Sequence, residues 1–463
     1  MTTNKVDLTN PALKDMIIVS PETDGLRVVK YSNKAFFLSA WDTIPDLREY
    51  RGLVIDADNN IVAYPFTKVH NINEHGIEET KEEHFKGKTY QFVEKKNGFL
   101  AVVSKHNNKL IVSTTGNVVS PYVSLARHWV NTIPNVDKFD FKNRTLTFEV
   151  VDTEVDPHII FEGDGIYLIG CRENYLGSTQ MSEDELDVLA RELGVKRPSH
   201  FISQFDNVLA DAMDSSKFQK EGYMIRDIAT GTTVAKIKGA YYSTIKQLAR
   251  LGKTRADQLW DPAHSILSRD PALCASLVNG ITSNFDKDTW ALLPSEIKAI
   301  FLNKVAVDPS YKIDWTSPVN VIFLRGVPGS GKSTLVNEMI GCMNVPVVQC
   351  EADMSLNKYV YEVFDNRILN QCHINCKRTF INAIVDRARF VIVSNVNREY
   401  SHFSEMVNIA KVMNCKVDIL IKEKNHDSVN VHGVTDTKID SIVSQFEINI
   451  DGKGIKRLQP KGY

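Results

Sequence analysis

The chain is poor in cysteine, has no long apolar run and carries almost no net charge, and each shortage removes a class of protein. Seven cysteines in 463 residues show none of the even spacing of a disulfide framework, which points to a reducing compartment. Cys372, His373 and Cys376 pass for half a zinc site. No second Cys/His pair at ligand spacing follows, so packing on a helix is the better reading. No stretch of ~18 apolar residues is present, and the opening MTTNKVDLTNPALKDM has no apolar signal core. A soluble cytoplasmic protein without membrane contact is expected, in a host cytoplasm if the source is viral. A net charge of -2 supplies no global positive field, so any nucleic-acid contact must come from local basic patches. The length allows two or three domains.

Residues 1 to about 90 alternate short apolar runs with turns. These are Gly25–Tyr31, Ala35–Leu38, Leu47–Ile55 and Ile61–Lys68, with Asp58-Asn59-Asn60 at a hairpin turn. Arg51 leads one expected strand and Lys68 ends the next, which would bring both cations to one sheet edge. Next comes Val93-Glu94-Lys95-Lys96-Asn97-Gly98-Phe99-Leu100. Asn97-Gly98 reads as the tight turn of a hairpin joining Tyr90–Val93 to Phe99–Val103. A lysine at such a strand end is held rigidly and partly away from water, a suitable seat for a nucleophile whose pKa of ~10.4 must be lowered by its neighbours. A second hairpin is expected from Ala101–Ser104 and Leu110–Thr114, joined through His106-Asn107-Asn108, with further strands at Arg144–Val151 and Gly165–Cys171. Helices are expected at Tyr122–Thr132 and, behind the capping box that begins at Ser182, at Ser182–Leu193. Glu221–Ile225 and Val234–Lys238 form a strand pair through Thr230-Gly231. Lys236 and Lys238 then project from one face. Arg51, Lys68, Lys95, Lys236 and Lys238 would face Asn97, Glu149 and Glu221.

This constellation resembles the covalent nucleotidyltransferases of the phage RNA ligase 1 family over about residues 25 to 245. The family's Lys-x-Asp-Gly is similar to Lys95-Lys96-Asn97-Gly98, with the asparagine that fungal and plant tRNA ligases carry. Its glutamate strand resembles Thr147-Phe148-Glu149-Val150, its Glu-Gly-Tyr strand Glu221-Gly222-Tyr223 and its Lys-Ile-Lys strand Lys236-Ile237-Lys238. Tyr50-Arg51-Gly52-Leu53 and Lys68-Val69-His70-Asn71-Ile72-Asn73-Glu74 look like the triphosphate-contacting elements. The resemblance implies that Lys95 is the nucleophile, that Arg51, Lys68, Asn97, Gly98, Lys236 and Lys238 bind nucleotide, and that Glu149 and Glu221 bind nucleotide and metal.

From Ala240 to about Trp315 the apolar spacing turns helical, at Tyr241–Leu251, Pro271–Leu277 and Ser295–Lys304, broken by Asp-Pro steps. Beyond it Val319–Arg325 is a buried-strand run. It opens into Gly326-Val327-Pro328-Gly329-Ser330-Gly331-Lys332-Ser333-Thr334 and then a helix, the strand-loop-helix context of a phosphate-binding loop. Backbone N–H groups would wrap phosphate, Lys332 neutralise it and Ser333 offer its hydroxyl to Mg²⁺. Val345–Cys350, Arg389–Asn397 and Val417–Ile421 read as further strands, and Ile368–Ile384 as a long helix. Together they give a doubly wound parallel sheet.

This half resembles the polynucleotide 5′-hydroxyl kinases. Their catalytic aspartate is matched by Asp353, their His-x-x-Cys helix by His373 and Cys376, their Asp-Asn-Thr-Asn strand end by Ser394-Asn395-Val396-Asn397 and their lid by Val429–Val434. Ser394 stands where an aspartate would help to hold metal-bound water. Val429 stands where the lid has arginine, with Lys422 or Lys424 as substitutes. The expected organisation is an α+β nucleotidyltransferase of ATP-grasp-like ligase fold at 1–240, a helical module at 241–315 and an α/β P-loop kinase at 316–463. The order resembles that of fungal tRNA ligases and implies an RNA repair enzyme using Mg²⁺ or Mn²⁺ and ATP, with GTP as an alternative phosphate donor for the kinase. Broken RNA such as a tRNA-like stem-loop would be its substrate. No paired His-x-Thr and no Asp-x-Asp-x-Thr motif is present, so a separate phosphatase or phosphodiesterase would heal 3′ ends. The alternative is an RNA end-sensing protein with an NTPase domain and an inactive ligase fold.

Overall fold

The computed structural model describes residues 4–41, 43–152, 158–160, 162–261, 266, 268–352, 366–423, 436–446 and 455–458. The chain divides into two compact units, residues 1–244 with 268–270, and 245–267 with 271–463.

The first unit is built on three antiparallel four-stranded sheets. One runs in sequence order through β1 (Ile17–Val19), β2 (Leu26–Tyr31), β3 (Arg51–Asp56) and β4 (Ile61–Ala63). The second has the order β10 (His200–Gln204), β5 (Thr89–Lys95), β11 (Gly222–Arg226), β12 (Thr233–Lys238). The third has β7 (Lys109–Ser113), β6 (Phe99–His106), β8 (Arg144–Val151), β9 (Gly165–Glu173). Phe92, Ile225 and Ile237 of the second sheet pack on Phe205 and Val208 of the helix Phe205–Met213. The third sheet buries Val103, Phe148 and Leu168 with Ala126 and Val130 of the helix Pro121–Val130 and Leu186 and Leu193 of Glu183–Leu193. That last helix carries the expected capping box between Ser182 and Glu185.

Three local expectations are corrected here. Ala35–Phe37 lies in a helix, Asn33–Phe37, because the Ser32 hydroxyl accepts the Ala35 N–H and caps a turn that apolar content alone reads as strand. Leu47–Glu49 belongs to the 3-10 helix Pro45–Glu49, started by a proline whose φ suits a first helical position, so its strand begins at Arg51. The strand expected to reach Lys68 stops at Ala63, and Lys68 lies in a loop whose backbone N–H donates to Arg48 O at 2.7 Å.

The larger correction concerns Asn97-Gly98. It is not a hairpin turn, since β5 pairs with β10 and β11 whereas β6 pairs with β7 and β8. Both edges of β5 are already taken, so the chain crosses from one sheet to the next. Glycine is needed at 98 for proximity: a Cβ there would come within 2.0 Å of Val150 O on β8.

The second unit holds a five-stranded parallel sheet. Its order is β14 (Val347–Cys350), β15 (Phe390–Val393), β13 (Asn320–Arg325), β16 (Lys416–Lys422), β17 (Ile455–Leu458). The helices Lys332–Cys342, Asn366–Val385 and Ser404–Val412 connect these strands. Pro271–Asn284, Lys287–Leu292 and Ser295–Val307 form a helical group in the same unit, around Phe285, Trp290 and Phe301. Gly280 allows the first and last of these to approach, because a Cβ would sit 2.5 Å from Val305 Cγ1. Cys372 and Cys376 are buried on the long helix, and no group of three or more His, Cys, Asp or Glu among the described residues is placed to hold a metal. No helix of the described residues is long and apolar enough to cross a membrane.

Candidate active sites

In the first unit the register of one sheet assembles the site. Gly222 at the start of β11 lies opposite Lys95 on one side and Lys238 on the other, and Glu221 immediately precedes it. A Cβ on Gly222 would lie 1.9 Å from Ile237 O, and its φ of 155° is one that side chains rarely adopt, so only glycine fits between the two lysine strands. Lys95 Nζ donates to Glu221 Oε2 at 3.1 Å and stands 3.8 Å from Glu149 Oε1. Lys238 Nζ reaches the other oxygen of Glu221 at 3.3 Å. Glu149, from the third sheet, is fixed by the Gly98 backbone N–H, 3.2 Å from Oε1. The crossover at Asn97-Gly98 therefore ties the Lys95 strand to the Glu149 strand. Asn97 itself is buried, its side-chain amide donating to Ile160 O at 3.3 Å.

The remaining cations arrive through a backbone splice. Asn71 bridges Lys236 in parallel, with Lys236 N donating to His70 O at 3.0 Å and Ile72 N donating to Lys236 O at 2.9 Å. Lys236 Nζ donates to Val69 O at 3.0 Å. The same segment carries Lys68, 3.3 Å from Glu74 Oε1. Glu74 also engages His70 Nδ1 at 3.0 Å and accepts the Asn71 backbone N–H at 2.7 Å. Burial opposes ionisation of Glu74, but these partners hold its carboxyl well below the usual carboxylate range.

The electrostatics divide the lysines. Burial pushes the Lys236 ammonium down to about 7, aided by Lys68, Arg51, Lys238 and Lys95. Lys68 is also lowered, by burial first. Lys95 goes the other way: burial favours loss of its proton, yet Glu149 and Glu221 more than offset that and raise its pKa. The expectation that its neighbours lower the pKa of Lys95 is thus corrected, since the two glutamates outweigh both burial and the cation Arg51. Burial raises Glu149 too, against the pull of Lys95, whereas Lys95 and Lys238 overcome burial at Glu221 and lower it. Arg51 acts on Lys68, Lys95, Lys236 and Glu149 through its charge. Arg51, Lys68, Lys95, Glu149, Glu221, Lys236 and Lys238 therefore belong to one charge cluster.

Sequence reading did not find a neighbouring cluster. Glu94, 4% exposed, binds Lys96, Lys220 and the Ser199 hydroxyl, and Lys96 also lies 3.6 Å from Glu162 and over the Tyr167 ring. Strand alternation on β5 was the available signal, since it turns Glu94 and Lys96 away from Lys95.

In the second unit β13 runs directly into the loop. Gly329 and Gly331 have φ of 75° and 83°, a region glycine enters without strain. At Gly326 a Cβ would meet Ser330 Oγ at 2.6 Å and Lys422 O at 2.7 Å. Lys332 Nζ donates to Gly326 O at 2.9 Å and Val327 O at 3.2 Å, closing the loop on itself. The Ser333 hydroxyl, in the first turn of the helix Lys332–Cys342, donates to Glu351 Oε1 at 3.2 Å. Glu351 was passed over in favour of Asp353. Asp353, Lys424 and the whole lid segment Val429–Val434 lie outside the described residues. Arg325, fully buried, donates to Asn397 O and Arg398 O at 2.8 and 2.7 Å, and Asn395 Oδ1 accepts the Ala352 N–H. The strand ends on either side of the loop are thereby held together.

Residues 49–246, less than half of the chain, match the family model described as RNA ligase, of the phage T4 RNA ligase 1 type. No curated protein matches the chain. Among solved structures, a protein from Aquifex aeolicus assigned as an ATP-dependent DNA ligase is 14% identical with a TM-score of 0.40, over 65% of this chain and 77% of that one. An archaeal ATP-dependent RNA ligase is 13% identical with a TM-score of 0.40, over 64% and 75%. An RNA ligase from Naegleria gruberi is 15% identical with a TM-score of 0.32, over 39% and 58%.

Proposed function

We propose that the first unit joins RNA ends through a covalent Lys95–AMP intermediate and that the second phosphorylates 5′-OH RNA ends. The observation that carries the joining activity is Lys95 held between Glu149 and Glu221 with Lys238 beside it, inside the segment that matches the RNA ligase model. The kinase reading rests on the loop Gly326–Thr334 between a buried parallel strand and a helix.

Lys95 attacks the α-phosphorus of ATP, its nitrogen–phosphorus bond forming as the bond to pyrophosphate breaks. The attack requires a neutral amine. Glu149, whose carboxyl burial makes more basic, is the neighbour best matched to take the proton. Lys236, Lys238, Arg51 and Lys68 offset the charge of the triphosphate. A 5′-phosphate oxygen of RNA then takes AMP from Lys95, and a 3′-OH attacks that 5′ phosphorus to release AMP. In the second unit the terminal phosphate of an NTP passes to a 5′-OH, Lys332 neutralising phosphate oxygens. The hard oxygen donors Glu149 and Glu221 in one site, and Ser333 in the other, fit Mg²⁺ or Mn²⁺ arriving with nucleotide. Such an ion supplies positive charge against the phosphate oxygens. Broken stem-loop RNA is the proposed substrate.

Incubation with labelled ATP followed by sealing of a stem-loop carrying a 5′-OH/3′-OH nick tests both activities. Acid-labile label on the wild-type chain and sealed RNA are expected. Absence of covalent label, with RNA ends still bound, would favour the end-sensing alternative instead.

A further inference from the structure

A phosphate-binding loop needs more than its own lysine and serine. The cation that accompanies the nucleotide takes the serine hydroxyl, phosphate oxygens and water, and a carboxylate commonly orients that water. The strand next to β13 is β15, and the residue after its last position is Ser394, neutral and 1% exposed. The Ser394 backbone N–H donates to Cys350 O at 3.0 Å, yet its Oγ finds no hydrogen-bond partner among the described residues. A buried polar atom without a protein partner is costly, so the Ser394 hydroxyl is available to accept or donate a hydrogen bond at this strand end.

The carboxylate at this loop comes from one strand further out. Cys350 pairs in register with Val393, so Glu351 and Ser394 stand level at the ends of neighbouring strands. Glu351 is 9% exposed, and its two oxygens do different things: Oε1 accepts the Ser333 hydroxyl at 3.2 Å, and Oε2 accepts Gln349 Nε2 at 2.9 Å. Gln349 fixes the rotamer. A serine hydroxyl that gives its proton to Glu351 turns its lone pairs the other way, toward the phosphate side where a cation would sit. Adjacent parallel strands are ~4.8 Å apart. A glutamate from the outer strand, one methylene longer than an aspartate, covers part of that extra distance.

We infer that Glu351 is the acidic residue that holds the nucleotide-borne divalent cation at Ser333, replacing the charge that Ser394 cannot supply. This rests on the phosphate-binding reading of Gly326–Thr334 and adds to it the residue that selects the metal-loaded nucleotide. Glu351 acts through Ser333 and ordered water, as a positioning residue.

The test is binding of Mn²⁺ with a non-hydrolysable ATP analogue to the full-length chain, read from the loss of the free-Mn²⁺ spin resonance signal. The part abolished by Lys332→Ala is taken as the loop's own. Glu351→Gln keeps size and hydrogen bonding while removing charge, and it should weaken metal binding at the loop by about 10–100-fold, with metal-free nucleotide binding unchanged. Adding Ser394→Asp to Glu351→Gln should recover most of the loss, because it returns the charge to the neighbouring strand end. Unaltered Mn²⁺ affinity in Glu351→Gln would overturn the inference, and so would an equal loss of metal-free nucleotide binding, which would mark Glu351 as structural only. Wild-type metal and nucleotide binding without phosphate transfer to 5′-OH RNA would sink the kinase proposal alone.

Discussion

The two proposed phosphate sites are built by opposite means. The second unit offers one contiguous stretch, Gly326 to Thr334, in which backbone geometry would be the binding surface and Lys332 rests on the loop's own carbonyls. The first unit uses side chains from Arg51 to Lys238, delivered by all three sheets and a spliced loop. A backbone cradle presents fixed dipoles and tolerates exchange of many side chains. A side-chain cluster is a balance of charges in which each member sets the protonation of the others. Lys95 is kept cationic by Glu149 and Glu221 while Lys236, among cations, falls to about 7.

Breaking each site in turn is the most direct way to sharpen that contrast. The largest effect is expected for Lys95→Ala, which removes the nucleophile: covalent label from ATP should fall to background, while 5′-phosphorylation continues. Mapping of the AMP to Lys96, which pairs with Glu94 and Glu162, would break the assignment.

Next comes Lys332→Ala. Loss of a preorganised cation at transferring phosphate should slow 5′-phosphorylation by about 10²–10³-fold, with joining of ends that already carry 5′-phosphate preserved. If joining of 5′-phosphate RNA failed as well, the two sites would not be separable.

A somewhat smaller loss, roughly a hundredfold in adenylylation rate, is expected for Lys236→Ala and Lys238→Ala. The pH dependence carries the information. Each substitution removes a cation that disfavours the charged form of Lys95, and Lys236 is itself charged only below about 7 in the free protein. Lys95 stays protonated across this range, so a further rise in its pKa slows both variants equally at pH ~6 and pH ~9, and only the loss in Lys236→Ala, which removes a charge present below about 7, is greater at pH ~6. Rates within about threefold of wild type in both variants would take the pair out of the site.

The smallest effect is on stability. Lys236 has a depressed pKa in the folded chain, about 7 against 10.5 for an unperturbed lysine. Between those values the unfolded chain holds a proton that the folded site has lost, so stability rises with pH across the window and is most reduced below it. Lys236→Met should therefore stabilise the protein by roughly 1–4 kcal/mol near pH 6, with the gain shrinking toward pH ~10. Thermal melts at the two pH values check the sign.

Much of this was legible in the chain, for identifiable reasons. The capping box at Ser182, the buried run Val319–Arg325 and the hairpin turn at Asn107-Asn108, both left-handed in the structure, are local signals with local causes. Asn97-Gly98 was misread because an Asn-Gly pair looks the same whether the next strand folds back or crosses to another sheet. Ala35–Phe37 was misread because a Ser32 cap outweighs apolar content over so short a span. Glu351 went unnoticed because its partner, Ser333, lies 18 positions away, and Asp353 beside it fitted a known pattern.

The sequence by itself determined the shape of the loop Gly326–Thr334, since glycines that permit left-handed turns and a lysine at fixed spacing encode a backbone shape within nine residues. It also named the residues of the first site through short motifs. Only the tertiary structure decided what those residues do to one another. That Glu221 bridges Lys95 and Lys238, that Glu149 is pinned by Gly98 N, and that Lys236 is driven toward neutrality all follow from strand register and burial. Register and burial arise when segments from tens of residues to more than a hundred apart pack together, and electrostatic energy depends on that distance and on the water excluded, neither of which is written in any local stretch of chain.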